Sequence, residues 1–268
     1  MAQQRDRVIL AIDQGTTSSR AVIVDATGAI LGSVQREITQ IYPAPGWVNQ
    51  DANHIWEVTL DVTRRVLAET GIDRARIAGI GITNQRETTV LWDRATGEPG
   101  APAIVWQSRQ SSAIVDEIVA RGMGETYQRI TGLVPDAYFS ATKIAWLLAR
   151  DEDLRRRAEA GEICFGTIDT WLIWKLSAGR VHVTDYGNAS RTMLFDIRTR
   201  EWSDELLRDL AIPRAILPEL RGNSEIIVET DPSVLGWSIP IAGVAGDQQA
   251  ALFGQACFEP GEAKNTYG

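Results

Sequence analysis

An α/β layer fold with a mixed sheet is the architecture this sequence predicts, on three observations. The first forty residues carry three short apolar runs in close succession, which read as an antiparallel meander. Beyond them, helical and strand periodicities alternate, as they do when helices are layered on a sheet. The run IAGIGIT (77–83) is short, apolar and bounded by polar loops, as a buried strand is.

The elements follow in order. Val8–Ile12 ends in Asp13, and a second run, AVIVD, follows Arg20, so the pair predicts a β-hairpin. Its connection, DQGTTSS, is longer than the roughly two to five residues a plain hairpin needs. Residues 29–37 add a third strand, and YPAPGW (42–47) is a proline-punctuated loop. Asp51 offers an N-cap to a helix with Ile55, Val58, Val62 and Val66 on one face and Gly71 after its end. The glycines of strand 77–83 permit close packing. TVLWD (89–93) pairs back, and AIVWQSR (103–109) is a further strand. A helix over 110–121 turns Ile114, Val115, Ile118 and Val119 inward, and Ser140 caps another carrying Ile144, Leu147 and Leu148. DEDLRRRAEAG (151–161) is a solvated helical end. EICFGTIDTWLIWKL (162–176) is a strand, a turn capped by Asp169 or Thr170, and an apolar helix. Residues 181–196 are a strand, a polar loop and a strand; 202–212 hold a short helix. From 239 a strand runs through Gly243 and Gly246 into Asp247, Gln248 and a last helix.

Length and composition bound the function. The 268 residues suffice for one large or two small domains. Lys plus Arg number 27 against 35 Asp plus Glu, a net charge of −8, which disfavours generic nucleic-acid binding. No apolar run approaches the roughly twenty residues of a membrane span. The N-terminus MAQQRDR lacks a signal-peptide core. Cys164 and Cys257 are too few and too distant for a disulfide framework, and His54 and His182 cannot supply a zinc cluster. A cytoplasmic, reduced protein without structural metal is expected.

Three polar stretches carry candidate chemistry. In DQGTTSSR, Gly15 allows close backbone approach, Thr16, Thr17 and Ser18 bring hydroxyls, and Arg20 offers a planar fork to a phosphate. Asp13 would then lie where a divalent cation bridges phosphates. An ordinary polar turn explains the same residues. TNQRET (83–88) leaves the end of a buried strand, where ligands of open α/β sheets sit, and Arg86 and Glu87 supply the donors and acceptors a polyhydroxylated molecule requires. A solvated turn is the alternative. Trp106 and Tyr138 are each explained by packing or by a place against such a ligand. Asp247 is at once a candidate carboxylate base and a candidate N-cap. There is no GxxxxGK[ST] and no GxGxxG, so neither a P-loop nor a dinucleotide fingerprint is present.

Taken together, DQGTTSSRAV, IGITNQRETT, AIVWQ, DTWLIWKL, VHVTDY followed by NASRTMLF, and AGDQQAALFGQ resemble the FGGY carbohydrate kinases over essentially the whole chain. The resemblance is nearest to members that phosphorylate glycerol. It implies the actin-like ATPase fold, of which this chain would be the ribonuclease-H-like N-terminal domain, a mixed sheet flanked by helices. Residues 1–253 would be that domain and 254–268 the truncated start of the C-terminal one, so the chain alone would be inactive. The implied activity is ATP-dependent phosphorylation of glycerol to sn-glycerol 3-phosphate with ATP and Mg2+, in a homo-oligomer when full length, without nucleic acid or membrane insertion. Carried over by residue, Thr16, Thr17, Ser18 and Arg20 would contact nucleotide phosphates and Asp13 would belong to the magnesium environment. Arg86, Glu87, Trp106, Tyr138, Asp247 and Gln248 would bind glycerol, with Asp247 accepting the proton of the attacking hydroxyl. Ser238 stands where bisphosphate-inhibited members carry an arginine. A kinase of another polyol or sugar, or a non-catalytic glycerol- or partner-binding fragment, remains the alternative.

Overall fold

The computed structural model describes residues 6–267. Residues 1–5 of the N-terminal stretch read above, and Gly268 at the end of the 254–268 segment, lie outside the described residues.

Strand β1 (Val8–Gln14) buries alternate residues, Val8, Leu10, Ile12 and Gln14, and pairs antiparallel with β2 (Ser18–Asp25), which pairs with β3 (Ile30–Glu37). This is the expected meander. Helix α1 (Ala52–Thr70) starts where the Asp51 carboxylate accepts the Asn53 and His54 N–H groups and stops at the left-handed Gly71. Its stripe of Ile55, Val58, Val62 and Val66 is buried over β2 and β3. On the other side of β1 lies β4 (Ile77–Asn84), parallel to it, followed by α2 (Ser140–Arg150), α3 (Ile168–Leu176), β5 (Val228–Glu229), β6 (Pro240–Gly246) and α4 (Asp247–Gly254). The sheet order is β5-β6-β4-β1-β2-β3, with β1, β4 and β6 parallel and the rest antiparallel. The mixed sheet is as the sequence predicts.

Two apolar cores flank a ribbon formed by Val90–Asp93 paired antiparallel with Ile163–Gly166. Strand alternation sends Val90 and Trp92 into the core beneath the sheet, with α1 and α3, and sends Leu91 into a second core with Ile144, Leu148 and Phe165. Trp92 packs edge-on against Trp171 at 5.2 Å, and the imidazole of half-buried His182 beside it is depressed to about 4 by desolvation.

Several expectations are corrected. Strand pairing extends into both ends of DQGTTSS, so the hairpin connection is only Gly15–Thr17 and is of ordinary length. Residues 90–93 pair with 163–166 rather than folding back on β4, and only Ala103–Ile104 of 103–109 is strand. In helix Ser112–Ala120 only Ile118 is buried, and Val119 is 60% exposed, because a single face of this short helix meets the core. Ser140 begins α2 without capping it; its hydroxyl donates to the Glu87 carbonyl instead. Thr167, not Asp169 or Thr170, occupies the N-cap of α3, and Asp169 is fully buried, accepting from Thr167 and Thr184. The polar loop after 185 contains a short helix, Tyr186–Ala189. Of the two strand glycines, a Cβ at Gly79 would lie 3.1 Å from the Pro240 carbonyl, whereas Gly81 faces open space.

The ribbon makes one packing test. A Cβ on Gly166 would meet Thr170 at 2.6 Å and Trp92 at 2.8 Å, both immobile in the core. Gly166→Ala is expected to cost about 1–3 kcal/mol through overpacking. Gly124→Ala, at the first position of helix Gly124–Thr131 with nothing within 4 Å, is expected to be neutral or slightly stabilising. Urea unfolding midpoints of the two variants check the contrast.

Candidate active site

The parallel register places three strand ends side by side: Gln14 pairs with Asn84, and Gly246 pairs with Asn84 from the other flank. The loops leaving these strands therefore open on one edge of the sheet, the place where ligands of such sheets bind. Buried amides hold that edge together. The Gln85 N–H donates to the Gln14 carbonyl at 2.7 Å, and its side-chain amide donates to Gln50 Oε1 at 2.9 Å and Gln14 Oε1 at 3.2 Å. Asn84 and Asn188 exchange amide hydrogen bonds of 3.0 and 3.1 Å.

The hairpin turn is closed by the Gly15 N–H on the Ser18 carbonyl at 2.9 Å. Gln50 Nε2 donates to the Thr16 carbonyl at 2.6 Å, and the Trp106 indole N–H donates to the Thr16 hydroxyl at 2.8 Å. Thr17 is exposed, and the Ser18 hydroxyl accepts from Gln35. Asp13 and Arg20 face each other across the hairpin and pair at 2.9 Å on the outward face of the sheet. Thr83 lies beside Asp13 in register, and its hydroxyl is buried with no hydrogen-bond partner among the described residues.

Arg86 and Asp247 meet across the edge, Nε to Oδ1 at 3.0 Å, with Arg86 14% and Asp247 39% exposed. The same Oδ1 accepts the Gln248 N–H at 2.7 Å, which leaves Oδ2 without a partner among the described residues. Gly246 takes the N-cap position of α4, so Asp247 is the first helical residue and only its Oδ2 is left to face the edge. A Cβ on Gly246 would lie 2.5 Å from Arg86 Cδ, so a larger residue there would displace the Arg86 side chain.

Glu87 is 1% exposed and sits at φ 63°, in the left-handed region. The Thr88 N–H bonds the Arg86 carbonyl at 2.7 Å and closes a three-residue turn around it, a strained conformation for a residue with a side chain. Its Oε1 accepts from Arg191 Nε at 2.7 Å, and Oε2 has no partner among the described residues. Burial pushes the Glu87 carboxyl above its usual value, while Arg86, Arg191 and Lys143 oppose that rise. Tyr138 packs on Trp106 at 5.4 Å, and burial raises its phenol. The segment bearing Tyr138 is fixed from beneath by fully buried Lys143, whose ammonium donates to the carbonyls of Ala137, Tyr138 and Phe139 at 2.7, 2.5 and 3.1 Å. Desolvation brings that ammonium down to about 7.

Arg86, Glu87, Trp106, Tyr138 and Asp247 are thus gathered with Thr16 at one edge, and Gln248 joins them through α4. The Gln248 side chain turns toward the 264–266 segment, accepting from Lys264 at 2.5 Å and Thr266 at 3.1 Å. Two participants are not among the sequence candidates. Arg191 and Lys143 come from segments read as polar loop and amphipathic helix, and only their tertiary placement beside Glu87, Arg191 half-buried and Lys143 fully buried, reveals them.

The profile of the FGGY family of carbohydrate kinases, N-terminal domain, matches residues 8–254. The chain is 58% identical over 263 residues to a glycerol kinase of Brevibacillus brevis, covering 98% of this chain and 53% of that protein. It is 58% identical over 264 residues to a glycerol kinase of Thermus thermophilus, covering 98% and 53%. A crystal structure of Plasmodium falciparum glycerol kinase with ADP superposes with a TM-score of 0.93 at 36% identity, covering 98% of this chain and 53% of that one. The chain spans about half the length of the curated relatives it matches. A gluconate kinase of Lactobacillus acidophilus shares the fold at TM-score 0.82 and 23% identity. The ribonuclease-H-like, actin-like ATPase architecture is therefore the one observed.

Gly246→Ala is expected to drive Arg86 off Asp247 and to cost about 1–3 kcal/mol. The Arg86 Nε–H resonance should move to a solvent-like position in the variant's nitrogen-15 spectrum. An unmoved resonance contradicts the close approach.

Proposed function

Because this chain belongs to the FGGY family of carbohydrate kinases, we propose that the protein carrying it transfers the γ-phosphoryl group of ATP to glycerol, giving sn-glycerol 3-phosphate. The observation that carries this reading is the pairing of two half-tethered carboxylates at one edge. Glu87 offers Oε2 and Asp247 offers Oδ2, each with its other oxygen engaged by an arginine. Two free acceptors beside the Arg86 donors suit a neutral polyol, which must give and receive hydrogen bonds at adjacent hydroxyls. Trp106 supplies an apolar wall for its carbon edge, Tyr138 closes the side, and Gln248 assists.

In this mechanism the Asp247 carboxylate takes the proton of the attacking hydroxyl through Oδ2, and Arg86 keeps the carboxylate oriented. Phosphoryl transfer asks the protein mainly for positioning and charge stabilisation. Thr16, Thr17, Ser18 and Arg20 would hold the nucleotide phosphates at the hairpin. Among the described residues no group of three or more His, Cys, Asp and Glu side chains forms a metal cluster. Mg2+ usually takes one or two carboxylates and completes its shell with phosphate oxygens and water. Asp13 fits that pattern, outward-facing with the unpartnered Thr83 hydroxyl beside it. The cation, when bound, supplies neutralisation of phosphate charge. Residues 1–253 would form the substrate and phosphate half and 254–268 the approach to a second domain. A cytoplasmic homo-oligomer accords with this reading; among the described residues no helix is long and apolar enough to cross a membrane.

Glycerol-dependent release of ADP by the protein carrying this chain tests the reading. Asp247→Asn is expected to lower kcat by about 10²–10⁴-fold with little change in the KM for glycerol. Arg86→Ala is expected to act largely on KM. Near wild-type turnover in Asp247→Asn, or phosphorylation of a sugar acid but not of glycerol, overturns it.

A further inference from the structure

Glu87 poses a physical problem that the proposed reaction does not solve. Its backbone is held in a left-handed turn and its carboxylate is buried, and both conditions cost free energy. The turn is braced through the backbone, where the Glu87 carbonyl accepts the hydroxyls of Ser140 at 3.1 Å and Thr89 at 3.2 Å. Those bonds engage only the backbone carbonyl and not the carboxylate. Among the described residues the carboxylate has one hydrogen-bond partner, Arg191, through Nε to Oε1 at 2.7 Å.

Arg191 is itself built into place. Its N–H donates to the Asn188 carbonyl at 3.0 Å, just past the short helix 186–189. Asn188 is locked to the end of β4 by the reciprocal amide pair with Asn84, three residues before Glu87. Asp185 accepts the Asn188 N–H at 2.9 Å and its side-chain amide at 2.8 Å, and also accepts from Asn223, which bonds the Val244 carbonyl of β6. The guanidinium lies over Phe139 at 4.9 Å and Tyr138 at 5.8 Å. One side chain thus touches both the buried carboxylate and the aromatic wall, from an anchor shared with the strand that carries the site.

We propose that Arg191 is a positioning residue of this site: by holding Oε1 of Glu87 it fixes which oxygen, Oε2, meets the ligand's hydroxyls, and its guanidinium face steadies Tyr138. The inference rests on the polyol reading given above. It also assigns a use to the strain at Glu87. The turn aims the carboxylate inward, and Arg191 keeps it there in its ionised, accepting form. The charged and titratable groups facing Glu87 are Arg86 beside it in sequence, Lys143 on α2, Tyr138 before α2, and Arg191. Burial raises the Glu87 carboxyl and the three cations oppose it, so loss of Arg191 removes both a hydrogen bond and a charge. The Glu87 carboxyl is then raised further, and raising the pH restores the acceptor.

The test uses Arg191→Gln and Arg191→Lys with two readouts. Carbon-13 titration of the Glu87 carboxyl in the chain is expected to move up by about one pH unit or more in Arg191→Gln, and by less in Arg191→Lys. In the protein carrying the chain, Arg191→Gln should raise the KM for glycerol about 10- to 100-fold at pH 7, with kcat changed far less. That penalty should shrink as pH rises toward 9, and Arg191→Lys should recover part of it. An unmoved Glu87 titration overturns the proposal, as does a loss shared equally by kcat and KM at every pH in both variants. Absence of glycerol turnover in the wild type would defeat the functional reading, while the carboxyl titration still decides the role of Arg191.

Discussion

The register that lays Gln14, Asn84 and Gly246 side by side is the constraint on which the site depends. Each residue ends a parallel strand, and each is followed at once by residues carrying chemistry: the Gly15–Thr17 turn, the Gln85–Glu87 loop, and Asp247 at the start of α4. A slip of one residue in β4 would turn Asn84 outward, because strand side chains alternate faces. Buried amides guard against that slip. The Gln85 contacts with Gln14 and Gln50 and the Asn84–Asn188 pair are satisfied only in this alignment, and a buried amide left unpaired is costly.

Upon that frame the electrostatics are balanced locally. Two carboxylates and two arginines meet at the edge, in the pairs Arg86–Asp247 and Arg191–Glu87. Each pair offsets its own charge, so on the proposed polyol reading recognition would fall to the direction of hydrogen bonds and to Trp106 and Tyr138. The Trp106 indole N–H on Thr16 joins that wall to the hairpin, so the two proposed subsites share one rigid contact. Phosphoryl transfer needs reacting groups held in a narrow geometry, and a shared bond of this kind restricts their relative motion.

The meander, the capped helix 52–70 and the candidates Arg86, Glu87 and Asp247 were legible because each has a local signal: β-branched runs, an Asp–Gly bracket, polar residues leaving an apolar strand. The hairpin connection was read as too long because Gln14, Ser18 and Ser19 are polar, yet the sheet pairs them, and Ser19 finds Thr59 at 2.8 Å. Arg191 and Lys143 had no local signal at all. Arg191 follows a polar stretch that reads as surface, and Lys143 sits in a helix where a lysine is ordinarily solvated. Their partners lie 104 positions away in sequence for Arg191, and for Lys143 are backbone carbonyls that any sequence would possess. The buried Asp169 and Asp185 escaped for the same reason, since burial of a carboxylate is decided by tertiary packing.

A crystal structure of the protein carrying this chain, with glycerol bound, tests the central claim most directly. Two hydroxyls of glycerol are expected within about 2.6–3.2 Å of Glu87 Oε2 and Asp247 Oδ2, with the carbon edge against Trp106 and Arg191 still on Oε1. Glycerol bound away from this edge, or held through Glu87 Oε1 with Arg191 displaced, would contradict the account.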